Sequence, residues 1–358
     1  MNNQNKRIVT PQRVVGLDIL RIALAVLIVM FHSWMHFGCS YSYLTDFVSV
    51  GALAMTGFFL LSGYSLQLVY GEQNVIEKHT LLMFYIKRIL GVLPLYYFVA
   101  ILYVLFLGKE TLIDNILLFP IEALCLQSTF ASLFGVTHNG GTWFISCIML
   151  AYLVYPFLQM VCKYMNLRSK VILLAVFVLI DIWASIVSNR FDTASVYDNP
   201  FYRIVEFTCG LLIADVNINY ENKILKVLRS RGVLLISALV LIVGVSFIQH
   251  IKDVQDYMLL NMIVLPCFIL MLFPLGYLKM PMLANMKTVG YFSKISYAFF
   301  LIQFFCWELG KKFIDIIGYD HNIVRILFTF VFCLLGSIFL YEVIQKQIVK
   351  YVNNKLIK

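Results

Sequence analysis

Arg21 and His32 bracket ten consecutive apolar residues in the stretch RIALAVLIVMFH. An eleven-residue separation at about 100° per residue is three turns plus roughly 20°, so both side chains leave a helix on one face. Their axial separation is about 16 Å, roughly half the thickness of a hydrocarbon core. An imidazole titrates near neutrality, so His32 can move a proton or act as a transient nucleophile. A guanidinium keeps its charge, so Arg21 can hold a phosphate or a neighbouring carboxylate. Asp18, three residues earlier, is a carboxylate within reach on the same helix. Both residues also have plain structural readings. His32 can be a hydrogen-bonded packing residue between helices, and Arg21 an anchor paired with Asp18. His36, at i+4 from His32, supplies one edge of a metal site, but no third ligand is suggested and no metal is expected.

Other polar residues carry similar pairs of readings. Lys87 and Arg88 form a basic mouth at the start of an apolar run, suited to phosphates or to anchoring the run on the cytoplasmic side. Arg203 and Glu206 lie three apart and can pair with each other or line a substrate mouth. Trp143 can stack on a sugar or sit in an interfacial aromatic belt, and the belt is the more frequent use. Ser62 and Gly63 suit close helix packing better than reaction. Asn139, Gly140 and Gly141 mark a turn, with Asn139 as a polar contact.

The elements that position these residues follow from composition. The chain has 358 residues, 61% hydrophobic and 13% charged, well above the apolar share of soluble domains. The excess lies in runs of about twenty residues, each long enough to cross a bilayer as a helix. Ten runs read as spans: Leu17 to His36, Val48 to Tyr70, Phe84 to Leu107, Trp143 to Cys162, Val171 to Ser188, Ile204 to Val216, Val233 to His250, Met258 to Tyr277, Val289 to Leu309 and Ile323 to Gln345. Ile204 to Val216 is short. Ile113 to Phe130 is also apolar, but Pro120 and Glu122 interrupt it, and it reads as a re-entrant or interfacial segment. The expected fold is an all-α polytopic membrane bundle forming a single domain.

Loop charge sets the orientation, because Lys and Arg accumulate on the cytoplasmic side. With the N-terminus inside and Ile113 to Phe130 not crossing, 21 Lys and Arg fall inside and 7 outside, of 28 in all. Ten crossings place both termini in the cytoplasm. The net charge of +9 is thereby a topology signal, and no nucleic-acid partner is needed. No cleavable signal peptide and no appended soluble domain are expected. The eight cysteines show no CxxC spacing, so no disulfide framework is implied.

Several stretches, in order along the chain, resemble the acyltransferase family three membrane proteins. LDILRIALAVLIVMFH resembles their first helix, with an Arg and a His separated by ten residues. GFFLLSGYSL, with Phe58, Phe59, Ser62 and Gly63, resembles the second-helix signature. FYIKRILGVLPLYY, with Lys87, Arg88 and Pro94, resembles the basic start of the third. NGGTWFISCIMLAYLVYPFL carries Asn139, Trp143, Tyr152 and Pro156 of a later segment, and YRIVEFTCGLLIA carries Arg203, Phe207 and Gly210. ISYAFFLIQ resembles the penultimate helix. Gly91 stands where many members have a further Arg, Ile145, Ser146 and Cys147 where many have a Glu, and Gln303 where members often have a titratable His.

The resemblance implies transfer of an acyl group, commonly acetyl from cytosolic acetyl-CoA, to a hydroxyl of a surface or secreted glycan, free or lipid-linked. It implies His32 as base or transient acyl carrier. Arg21, Lys87 and Arg88 would face the donor. Asp18, Ser62, Asn139, Trp143, Arg203, Glu206 and Gln303 would be supporting or acceptor-side residues. A bacterial cytoplasmic membrane is the expected location, with membrane lipids as surroundings, and a homo-oligomer is compatible with the sequence. A competing reading, a transporter or exporter of a polar or lipid-linked substrate, would also account for buried charge. Broken helices repeated in matching halves would favour it, and the sequence has none. A silent sensor or scaffold would tolerate loss of His32.

Overall fold

The computed structural model describes residues 13–108, 110–129, 137–191, 196–252, 257–278 and 286–356. In chain order the helices are α1 (Val15–Phe37), a short α2 (Thr45–Ser49), α3 (Ala54–Tyr70), α4 (Lys78–Phe106), α5 (Leu112–Ala123), α6 (Trp143–Tyr164), α7 (Leu167–Phe191), α8 (Pro200–Asn219), α9 (Lys223–Leu228), α10 (Arg231–Leu239), α11 (Val245–Lys252), α12 (Tyr257–Tyr277), α13 (Lys287–Ile317), α14 (Asn322–Phe339) and α15 (Lys346–Leu356). No strand occurs among the described residues. The protein is a multi-pass helical bundle.

Among the described residues, eight helical stretches are long and apolar enough to cross a membrane. Two π-helical turns, Val240–Gly244 and Leu340–Gln345, join α10 to α11 and α14 to α15 without breaking those crossings. α7 and α8, 25 and 20 residues long, also have the length, since about twenty residues suffice. α8 is longer than the expected Ile204 to Val216. Asn199 starts it early, its side chain accepting from the Phe201 and Tyr202 amides at 3.0 and 3.3 Å, with Pro200 at the first helical position. The residues that hide α8 from a hydropathy reading are its charges, Arg203, Glu206 and Asp215, all buried against neighbouring helices.

α5 does not cross. Its 12 residues reach only about 18 Å. A reciprocal Thr111–Asp114 cap begins it. At its other end the Tyr96 hydroxyl donates to the Glu122 carbonyl at 3.0 Å and the Tyr97 hydroxyl to the Ala123 carbonyl at 2.5 Å. These bonds satisfy terminal carbonyls that a longer helix would have paired. His138 closes the turn, its Nδ1 2.8 Å from Glu122 and its Nε2 2.8 Å from Asn115. Phe130, the expected end of this segment, lies outside the described residues, as do Lys6, Arg7, Lys109, Lys279 and Lys358 of the charge count.

The connections gather at two ends, as alternating crossings require. At one end Lys170 pairs with Asp215, and Gln159 donates to the carbonyls of Gly71 and Gln73 at 3.0 and 3.1 Å. At the other, Arg325 donates to the carbonyls of Phe37 and Gly38, and His250 meets Asp46 at 3.0 Å. α3 and α8 form the tightest seam. A Cβ at Gly63 would lie 1.9 Å from the Phe207 carbonyl oxygen, and one at Gly210 would lie 1.9 Å from that of Leu60. Small residues let the two backbones touch, which is how helices associate where no water can be expelled.

Candidate functional site

α1 and α13 run parallel, and the two residues of the opening stretch both meet α13. Arg21 donates to Ser293 at 3.1 Å and to Ser65 of α3 at 3.3 Å. His32 packs on Phe304 and Trp307, with ring centroids at 5.1 and 5.5 Å. Ser293 to Phe304 is eleven residues, the same interval as Arg21 to His32, so one helix face receives the other in register.

Arg21 lines a cavity of about 250 Å³. Ser62, Gly91, Tyr152, Ser296 and Tyr297 share the lining, with Met55, Phe59, Phe144, Ile148 and Phe300 toward the His32 side. Ser62 therefore faces the cavity, and of the Ser62–Gly63 pair only Gly63 serves the helix seam. Asp18 is 3.7 Å from Arg21, as the i,i+3 spacing suggests, but it also binds Arg13 at 2.5 Å and accepts from Ser293 at 2.6 Å. One carboxylate shared by two guanidiniums leaves a net positive charge beside the cavity, which suits an anionic ligand.

Lys87 and Arg88 part company. Lys87 is exposed. Arg88 folds inward between the rings of Tyr70, Phe84 and Tyr152, its guanidinium carbon 5.8 to 5.9 Å from each centroid. Its Nε is buried without a hydrogen-bond partner among the described residues. Tyr152 belongs to the cavity wall as well, so Arg88 adds charge close to Arg21 while Lys87 points away. Gly91, in place of a further Arg, opens room in this wall.

His32 sits in an aromatic box. His36 stacks on it with centroids 5.6 Å apart and on Trp307 at the same distance, and Phe304 lies 4.8 Å from Trp307. The Nδ1 of His32 is buried and lacks a partner among the described residues. The Trp307 indole nitrogen, and both amide atoms of Gln303, are likewise buried and unpartnered there. Gln303 is 0% exposed and lies near His32 in depth, ten residues along α13 from Ser293. Asn139 acts through the backbone. Its Oδ1 accepts from the Gly141 amide at 3.1 Å and starts the turn into α6. A Cβ at Gly141 would lie 2.7 Å from Phe304, so this glycine turn presses against the box. Among the described residues no three His, Cys, Asp or Glu side chains converge as a metal site.

Of the supporting residues, Trp143 does not take the belt position, whereas Arg203 and Glu206 form the pair that their spacing offered. Trp143 is 4% exposed and is no belt residue. It packs on Tyr197 with centroids 4.8 Å apart, and the Arg203 guanidinium lies 5.4 Å from its ring. A charge buried beside an indole is stabilised by the ring face, and that outweighs a place at the interface. Arg203 and Glu206 do not line a mouth but form a buried pair, with Arg203 donating to both carboxylate oxygens at 2.9 and 2.7 Å. Thr56 and Asn261 also donate to Glu206, at 2.8 and 3.2 Å, and Asn261 donates to Asp181 at 2.7 Å. The cluster ties α3, α7, α8 and α12 together beside the cavity.

Ser65, Tyr152, Ser293, Phe300, Phe304 and Trp307 escaped the sequence reading as site residues. On α13 the last four recur at intervals of three, four and seven, a helical-face signal visible in the sequence. Nothing there says which helix that face meets.

A family model described as an acyltransferase domain matches residues 14–342. No curated protein and no solved structure matches the chain. The match runs from just before the first helix to within the last crossing and takes in every residue of the Arg21 cavity and the His32 box. The chain is thus a member of acyltransferase family 3 and a membrane acyltransferase.

Proposed function

We propose that the protein transfers an acyl group, acetyl above all, from cytosolic acyl-CoA to a hydroxyl of a surface or secreted glycan in a bacterial cytoplasmic membrane. The observation that carries this reading is the register of α1 against α13, with Arg21 on a cavity and His32 in a box further along the same seam. Arg21 and Arg88 supply charge for the donor's phosphates. His32 supplies a proton acceptor about 16 Å away along the helix, which suits a donor from one side of the membrane and an acceptor from the other.

In the transfer step, the acceptor oxygen bonds to the thioester carbonyl carbon and the carbon–sulfur bond breaks. The hydroxyl proton passes to His32 and from there to the departing thiolate. An acyl-imidazole on His32 would split the same exchange into two steps. The Nδ1 of His32 and the indole nitrogen of Trp307, buried without a partner among the described residues, are polar atoms that a reacting carbonyl or hydroxyl would satisfy. The test compares surface glycans of cells with and without the gene by mass spectrometry. The proposal expects a mass difference of one acyl group, and identical glycans would refute it.

A further inference from the structure

A second cavity, of about 500 Å³, lies between α4 and α5 and is twice the size of the Arg21 cavity. It falls within the span of small-ligand sites, about 300–1,000 Å³. The Tyr96 and Tyr97 bonds fix the C-terminal end of α5 about 15 Å short of the last turn of α4. Because α5 begins soon after α4 ends, it runs back along that helix. Ala100, Ile101, Val104 and Leu105 of α4 and Phe119 of α5 form the walls. Ile101, Leu105 and Phe119 are 57%, 70% and 72% exposed, so the rim continues into the apolar surface that the bundle turns to lipid. The polar side chains at the border are engaged with one another. His138 meets Glu122 and Asn115 with its two ring nitrogens, and its amide donates to the other Glu122 oxygen at 2.9 Å. Both tyrosine hydroxyls are bonded to α5. What the cavity offers an occupant is therefore apolar surface and length.

The two cavities share α4: Val92 lines one, and Tyr96, a turn further on, lines the other. At the end of α4 away from Lys87, Phe106 meets Phe305 edge-on with centroids 6.1 Å apart, and Phe305 adjoins Phe304 of the His32 box. We propose that the cavity between α4 and α5 takes the hydrocarbon chain of a lipid-anchored acceptor, admitted sideways from the bilayer, and so sets the acceptor's head group at the Phe106 end of α4. This rests on the acyl-transfer reading above and narrows its acceptor to a lipid-linked one. Moving a chain from lipid into an apolar cavity gains little by itself, because the two surroundings are equally apolar. The gain is in position: a hydroxyl tethered beside the box is oriented instead of diffusing in the membrane plane. Glu308 and Lys311, half-exposed one and two turns beyond Phe304, are hydrogen-bonding groups for that head.

Two measurements on the full-length protein test this. Ala100→Trp fills the cavity, and Ala100 belongs to neither the Arg21 cavity nor the His32 box. The first measurement places wild type and variant in phosphatidylcholine nanodiscs with hexadecyl glucoside carrying a diazirine at the chain end, and reads cross-linked peptides by mass spectrometry. Labels should fall on residues 96–105 and 115–123 of wild type and drop several-fold in Ala100→Trp. Labels elsewhere, or equal labelling of these residues by a diazirine phosphatidylcholine, would overturn the proposal and leave a cleft for bulk lipid. The second measurement follows radiolabelled acetyl from acetyl-CoA into the solvent-extractable lipid and the water-soluble glycan of the cell's own membranes. The lipid fraction should carry label with wild type and at least about tenfold less with Ala100→Trp, the loss expected when a substrate is no longer oriented. Label in the water-soluble glycan alone would overturn the proposal. Selective cross-linking with no acetyl transfer by any form would leave the chain site standing and remove the acyl-CoA reading. Normal transfer at equal rates in wild type and Ala100→Trp would remove the chain site alone.

Discussion

Arg203 and Glu206, one turn apart on α8, are joined by a salt bridge with neither side chain more than 1% exposed. The pair is held on all sides: Thr56 and Asn261 reach the carboxylate, and the Tyr197 carbonyl accepts from the Arg203 Nε at 2.7 Å. Removing one partner strands a charge in the bundle interior. Glu206→Ala should therefore destabilise the protein by about 3–5 kcal/mol, read as a large drop in the thermal transition of the detergent-solubilised protein. Glu308→Ala removes a half-exposed pair with Lys311 and should cost less than about 1 kcal/mol. Equal effects of the two substitutions would contradict the buried-pair argument.

Gly63→Ala tests the seam of α3 and α8. The added methyl would meet the Phe207 carbonyl oxygen at 1.9 Å, and backbone cannot swing aside as a side chain can. The helices must part, at a cost toward the upper end of about 1–3 kcal/mol. Gly91→Ala, where nothing lies within 4 Å of the added carbon, should leave the transition within about 0.5 kcal/mol of wild type. The same thermal assay decides between them.

His32→Ala should reduce acyl transfer by at least about a hundredfold while donor binding persists, since on the proposed reading the donor's phosphates would meet Arg21 and not the box. Arg21→Ala should lower both, because it removes the charge at the cavity and the bonds to Ser293 and Ser65. Paired measurements of acylation, acyl-CoA affinity and thermal stability separate these outcomes. A His32→Ala protein that acylates at the wild-type rate would leave this histidine with a packing role alone.

Within the basic pair the two residues should behave differently. Arg88→Ala should weaken acyl-CoA binding about tenfold, near 1.4 kcal/mol, because its guanidinium lies in the aromatic cage shared with the cavity wall. Lys87→Ala, exposed and turned away, should change affinity less than twofold. Calorimetric titration of each purified variant with acetyl-CoA checks both, and equal losses would place the donor phosphates outside the Arg88 cage.

Orientation can be read with cysteine or tag reporters. Positions between Lys163 and Lys170 should report cytoplasmic, and those near Asp198 external, on the strength of the charge asymmetry and of the non-crossing α5. Labelling of the Asp198 side from within the cell would mean that the α5 segment crosses after all.

Period, length and charge fixed a great deal before any tertiary contact was known. Apolar runs of about twenty residues can only be helices in a bilayer, since each backbone polar group must be satisfied within its own segment. The eleven-residue interval put Arg21 and His32 on one face because helix geometry is local, and Pro120 with Glu122 marked the stretch that does not cross. What tertiary structure decided was every question of which face meets which. Trp143 read as a belt residue and Arg203 as a partner of Glu206, and the packing of one against the other depends on α6 and α8 being neighbours, about which hydropathy along one helix holds no information. Likewise Lys87 and Arg88 are adjacent in sequence but about 100° apart around α4, so one faces outward and the other lies beside the cavity. Gln303 is the sharpest case. Its amide is fully buried with no partner among the described residues, and that enclosure comes from the packing of other helices on α13, which the sequence of α13 does not specify.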